Sequence, residues 1–204
     1  MSDVVPCIQP FGHIPGRHRK DGFHMAKITL ITGGAGSGKS RWAASYFAEC
    51  DNVLYMCIPK EMDPDIAERI RWSNEHNYVE WDIMPGFNIT DQSVETHKFF
   101  IFDDVAYYVS EAIKKACPSA DLMTHDKKKE LQKQIVEDIS DLVSRVQVID
   151  GNMIIITIDP GFSVMPLDPE QKFFRDVLNG VNQRIAHISS EVYMSISGIQ
   201  YRIK

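Results

Sequence analysis

Lys27-Ile-Thr-Leu-Ile-Thr-Gly-Gly-Ala-Gly-Ser-Gly-Lys-Ser-Arg41 decides the fold. Ile28 to Ile31 read as a buried strand, the glycines as a loop, and the residues from Lys39 as the start of a helix. Inside the stretch, Gly33 to Ser40 match the spacing G-x-x-x-x-G-K-S. A triphosphate is a compact block of negative charge, and such a loop binds it by turning several backbone N–H groups inward. Side chains at Gly33, Gly34, Gly36 and Gly38 would obstruct that approach or forbid its backbone angles. Lys39 has the reach for the β- and γ-phosphates, and the Ser40 hydroxyl is a ligand for Mg²⁺. The helix behind the loop adds its positive end. A glycine-rich turn that merely joins strand to helix is the plainer reading. The strand before the loop, and Trp42, Ala43, Ala44, Tyr46 and Phe47 after it, favour a nucleotide-binding loop formed by Gly33, Gly34, Ala35, Gly36, Ser37, Gly38, Lys39 and Ser40.

The composition fits that core. The chain has 204 residues, 44% hydrophobic and 25% charged, which suits an ordinary globular protein. Residues 25–204 are expected to form one P-loop nucleotide-binding domain. The net charge of −6 argues against a broad nucleic-acid face. Four scattered cysteines without a C-x-x-C pair suit a reduced, cytoplasmic setting and no zinc site. No apolar run reaches the length of a membrane span, and the N-terminus lacks the apolar stretch expected of a secretory signal. Residues 1–24 are basic and broken by Pro6, Pro10 and Pro15. They read as a flexible extension, or as sequence upstream of a start at Met25. The alternative is an arm that touches phosphate or a partner subunit.

Outward from the loop, the chain alternates strands and helices. Asn52–Ile58 reads as a second buried strand, and Asp65–Glu75 as a polar helix. Residues 76–97 read as an irregular surface excursion and a candidate lid. Phe99–Asp104 is a third strand ending in carboxylates, where P-loop enzymes carry the acid that helps hold Mg²⁺, so Asp103 joins Ser40 as a candidate metal ligand. Tyr107–Ala116 reads as a helix, and a long amphipathic helix then runs to about Val148, with Leu131, Ile135, Ile139, Leu142 and Val146 on its apolar face. Lys127, Lys128 and Lys129 at its start read as a solvated face. Asn152–Ile158 is a continuous apolar strand of the kind found in the middle of a parallel sheet, and Asp159-Pro-Gly161 turns the chain at its carboxyl end, where α/β proteins bind ligands. A helix over Glu170–Ser189 and a hairpin around Gly198 complete an α/β sandwich with a mainly parallel sheet.

Specific strings then point to a family. Gly-Gly-x-x-Ser-Gly-Lys-Ser-Arg at 33–41, Val53-Leu-Tyr55, Arg69-Ile70 followed by Trp81, Phe174-Arg-Asp176, Val181-Asn-Gln-Arg184, Glu191-Val192 and Ser197-Gly-Ile199 fall at one family's spacing. From Lys27 to Lys204 the chain resembles the bifunctional adenosylcobinamide kinase / adenosylcobinamide-phosphate guanylyltransferases of cobalamin biosynthesis. The resemblance implies a RecA-like P-loop fold, ATP or GTP as co-substrate, Mg²⁺, a corrinoid acceptor and a homo-oligomer, a trimer in that family. It implies two reactions: phosphorylation of the aminopropanol hydroxyl, then GMP transfer to that phosphate through a guanylylated histidine.

Where the family carries that histidine, this chain has Ser73 when counted without a gap from Arg69-Ile70 to Trp81. Asn74 and Asn77 replace basic residues, Pro85 replaces a nucleotide-contacting glutamate, Cys57-Ile58-Pro59 replaces a Thr-Ser-type turn, and Ile158-Asp159 replaces an Asn-Glu pair. A nucleophile for GMP needs an imidazole lone pair, which Ser73 lacks; His76, three residues on, is a surface histidine or a displaced substitute. Phosphoryl transfer demands mainly positioning and charge neutralisation, and Lys39, Asp103 and Asp159 are the candidate catalytic residues. The kinase step is therefore expected to be the better preserved one. The alternatives are a degenerate nucleotide-binding regulatory or interaction protein, and a P-loop kinase of another small alcohol.

Overall fold

The computed structural model describes residues 26–48, 50–57, 81–85, 94–162 and 166–204, with positions 64, 67, 68 and 71. Its strands are β1 (Lys27–Gly33), β2 (Val53–Cys57), β3 (Trp81–Pro85), β4 (Phe99–Asp103), β5 (Asn152–Ile156), β6 (Glu191–Ile196) and β7 (Ile199–Arg202). Its helices are α1 (Lys39–Tyr46), α2 (Val105–Ala116), α3 (His125–Val148) and α4 (Pro169–Ile188), with short 3₁₀ turns at Ala120–Leu122 and Pro160–Phe162. The sheet runs β3-β2-β4-β5-β1-β6-β7, parallel throughout except for the β6–β7 hairpin. This is the α/β sandwich with a mainly parallel sheet and a C-terminal hairpin that the apolar runs predict. No described helix is long and apolar enough to cross a membrane.

Alternation along the strands divides the core in two. Ile28, Leu30, Leu54, Met56, Phe100, Phe102, Met153 and Ile155 face α2, α3 and α4. Their neighbours Ile31, Val53, Tyr55, Ile101, Ile154 and Ile156 face α1 through Ala43, Ala44 and Phe47. The central strands are therefore buried on both sides, which is why they read as unbroken apolar runs. The heptad-like residues Leu131, Ile135, Ile139, Leu142 and Val146 of α3 all enter the first of these clusters.

Two expectations need correction. Residues 81–85 are not irregular: they form β3, a parallel edge strand on β2 in which Trp81 stands beside Val53 and Pro85 beside Cys57. Trp81 is buried and donates its indole N–H to the Cys50 carbonyl at 3.1 Å, and His97 bonds the Asp82 carboxylate at 3.0 Å. The third expected strand stops at Asp103, because Asp104 turns out as the N-cap of α2 and its carboxylate accepts the Tyr107 amide at 2.8 Å. The helix expected at 65–75 falls largely outside the described residues, as do Ser73, His76, Asn74, Asn77, Ile58, Pro59 and residues 1–24.

Candidate nucleotide site

Gly33 ends β1, and the chain turns back at Gly36 (φ 67°) and Gly38 (φ 91°), left-handed angles that glycine adopts without strain. The turn delivers Gly38 as the N-cap of α1. The long helices α2, α3 and α4 have side-chain caps from Asp104, Thr124 and Asp168. The α1 terminus has none, so its first amides are available to an anion.

Lys39 is only 6% exposed and folds back across the loop. Its ammonium donates to the carbonyls of Gly34 (2.7 Å) and Gly33 (3.2 Å) and lies 3.5 Å from the Ser37 hydroxyl. Burial lowers its pKa, while the charges of Asp104 and Asp103 pull the other way. Lys39 therefore lies within electrostatic reach of Asp103, at the end of β4, and of Asp104, the N-cap of α2, although β5 lies between β1 and β4.

Asp103 extends from the same sheet face as Ile101 and Tyr55, the face covered by α1. The Tyr55 hydroxyl, on a fully buried ring, donates to Asp103 Oδ2 at 2.5 Å. Asp104 is pushed up to about 6, first by desolvation and then by Asp103, against the Tyr107 amide and Lys39. Tyr55 and Asp104 stand beside the candidate residue Asp103 and were not singled out from the sequence. For Tyr55 the signal was a hydroxyl two positions before the end of a strand; for Asp104 it was a second carboxylate beside the expected one.

Asp159 lies where the turn after β5 meets the loop. Its amide donates to the Gly33 carbonyl at 3.3 Å, and Thr157 N–H donates to Ile31. Its side chain closes a local turn, Oδ1 accepting the Gly161 amide at 2.8 Å. Asn182 of α4 holds this segment: it accepts from the Thr157 hydroxyl (2.8 Å) and donates to the Ile158 carbonyl (2.8 Å). The Val181-Asn-Gln-Arg184 string thus has a physical role beside the loop. In Phe174-Arg-Asp176 the carboxylate pairs with Lys128 at 3.2 Å, tying α4 to α3, so at least one of the three lysines at 127–129 is structural.

Gly33, Gly34, Ala35, Gly36, Ser37, Gly38, Lys39 and Ser40 therefore run from the end of β1 through the loop into α1 at the carboxyl edge of the sheet, with Asp103 at the end of β4 and Asp159 in the turn after β5. Ser40 and Asp103 present hard oxygen donors, the kind Mg²⁺ takes. No group of three or more His, Cys, Asp or Glu that could hold a metal occurs among the described residues.

The family model described as "Cobinamide kinase / cobinamide phosphate guanyltransferase" matches residues 29–203. The "Bifunctional adenosylcobalamin biosynthesis protein CobU" of Escherichia coli (strain K12) and its namesake from Salmonella typhimurium are each 25% identical over 181 residues, covering 87% of this chain and 99% of theirs. Among solved structures, the KaiC-like protein PH0186 of Pyrococcus horikoshii OT3 matches with a TM-score of 0.48 and 16% identity, covering 82% of this chain and 70% of that one.

Proposed function

The chain belongs to the cobinamide kinase / cobinamide phosphate guanyltransferase family, and from that premise we propose that it phosphorylates the aminopropanol hydroxyl of adenosylcobinamide with ATP or GTP. The observation that carries the reading is Lys39: buried in the glycine loop and electrostatically coupled to Asp103 and Asp104.

The chemistry asks little covalent work of the protein. The acceptor hydroxyl oxygen forms a bond to the γ-phosphorus, the bond from that phosphorus to the β–γ bridging oxygen breaks, and the nucleoside diphosphate leaves. The amides at the start of α1 and the Lys39 ammonium would hold the phosphates in line and offset the charge that spreads over them. On reaching a triphosphate, Lys39 exchanges the Gly33 and Gly34 carbonyls for phosphate oxygens. Asp159, whose backbone amide bonds the Gly33 carbonyl, would receive the hydroxyl proton. Ser40 and Asp103 would hold Mg²⁺, which when bound neutralises the β- and γ-oxygens. Tyr55 orients Asp103 for that task through its hydroxyl.

We propose that GMP transfer is the weaker or missing step, since Ser73 occupies the register of the family's nucleophilic histidine. A single reaction tests both proposals: protein, Mg²⁺, adenosylcobinamide, ATP and GTP, read by mass spectrometry. Adenosylcobinamide phosphate as end product is expected. GDP-cobinamide would overturn the loss of the second step, and unchanged adenosylcobinamide would overturn the acceptor assignment.

A further inference from the structure

We infer that the C-terminal hairpin is a working part of the nucleotide site, with Ser195 as a positioning residue for the phosphate-binding loop. The inference rests on the P-loop reading above and adds a residue far along the chain to it.

Four observations meet at one peptide group. The Ser195 hydroxyl, 1% exposed, donates to the Ser37 carbonyl at 2.6 Å. The Gly198 amide donates to the same carbonyl at 3.0 Å, so both of its lone pairs are taken by the hairpin. Ser197 (φ 51°) and Gly198 (φ 83°) form the two-residue turn between β6 and β7, whose two left-handed residues aim the Gly198 amide at the loop. A Cβ on Gly38 would lie 3.5 Å from Gly198 Cα, so the hairpin tip and the loop touch backbone to backbone.

The consequence follows from peptide geometry. The Ser37–Gly38 peptide is not among the cis bonds, and in a trans peptide C=O and N–H point in opposite directions. Clamping the Ser37 carbonyl toward the hairpin therefore fixes the Gly38 N–H away from it. Gly38 is the N-cap of α1 and begins the run of amides that meets the anion. Without the clamp this peptide would be free to rotate, and a flipped peptide would present an oxygen to phosphate. Gln200 sharpens the arrangement. Its side-chain amide lies 3.3 Å from the Ser195 oxygen and 3.1 Å from the Gly198 carbonyl, so the Ser195 proton is directed to Ser37.

The test uses inorganic tripolyphosphate with Mg²⁺, a probe without base or sugar, and then Mg·ATP and Mg·GTP, each titrated by calorimetry into the full chain. Ser195→Ala should weaken binding of all three by about five- to tenfold, the loss of one hydrogen bond at the loop. Gln200→Ala should weaken it by about two- to threefold. Ile139→Val, in the core under α3 on the opposite sheet face, lowers stability without touching the loop and should leave all three affinities unchanged. A Ser195→Ala protein binding within twofold of wild type overturns the inference while the nucleotide assignment stands. If Ser195→Ala does not fold, Gln200→Ala decides, and affinities equal to wild type overturn the inference. A wild-type chain that binds none of the three probes overturns both.

Discussion

Gly33 and Gly34 are neighbours in one motif, yet the structure separates their roles, and alanine at each position measures the separation. Gly33 sits at φ 138°, and an added Cβ would lie far inside the van der Waals contact distance of the Ser195 carbonyl oxygen and 3.1 Å from its carbon, all backbone of the adjacent strand β6. Backbone cannot rotate away as a side chain can, so β1 and β6 must part. The unfavourable φ costs about 1–3 kcal/mol, and forcing a methyl into a packed site costs a further ~1–3 kcal/mol. Gly33→Ala should therefore lose about 2–6 kcal/mol, a large share of the roughly 5–15 kcal/mol that holds a domain together. At Gly34 nothing among the described residues, its two chain neighbours aside, lies within 4 Å of the added methyl, and its φ is not left-handed. Gly34→Ala should stay within about 0.5 kcal/mol of wild type in stability but crowd the space that phosphate enters. Urea unfolding followed by circular dichroism gives the stabilities, and Mg·ATP titration the binding. If Gly33→Ala unfolds within about 1 kcal/mol of wild type, or Gly34→Ala loses as much as Gly33→Ala, the close approach of β6 to the loop has been misjudged.

Three further outcomes are expected. Lys39→Ala should lower cobinamide phosphorylation by about 10²–10³-fold, with Mg·ATP affinity reduced in the same titration; unaltered turnover would contradict the loop assignment. Asp104→Asn keeps the α2 cap but removes a carboxyl held at about 6 instead of the ordinary 3.8. A raised folded pKa means that ionisation opposes folding. The wild type thus loses stability relative to the variant as pH rises from about 4 through about 6, by at most ~3 kcal/mol before screening and the lost attraction to Lys39 are allowed for. Unfolding in EDTA across that range measures it, and curves that stay parallel would refute it. Tyr55→Phe removes one donor to Asp103 and should raise the Mg²⁺ concentration needed for half-maximal turnover while leaving metal-free nucleotide binding in place; an unshifted Mg²⁺ dependence would deny Tyr55 its orienting role.

What the sequence determined by itself was local chemistry. A strand, glycines at fixed intervals, a lysine and a serine specify the phosphate loop because each requirement is met within the single stretch Lys27 to Ser40. Apolar runs placed β1, β2, β4 and β5, since strands buried on both faces need no alternation. The string Val181-Asn-Gln-Arg184 marked the family, but what Asn182 does became visible only when α4 packed beside the β5 turn.

The tertiary structure decided whatever depends on a partner distant in the chain. Trp81-Asp-Ile-Met-Pro85 has too weak a pattern and an unfavourable proline, and it is a strand because β2 offers it an edge and His97 and Cys50 secure its first residues. Asp103 and Asp104 differ by one position, yet one extends from a strand toward α1 and the other caps a helix, a distinction set by where β4 stops. The brace from Ser195 and Gly198 to Ser37 joins residues more than 150 positions apart. Sequence spacing records which residues are adjacent along the backbone, whereas a hydrogen bond requires adjacency in space, and here only the pairing of β1 with β6 supplies it.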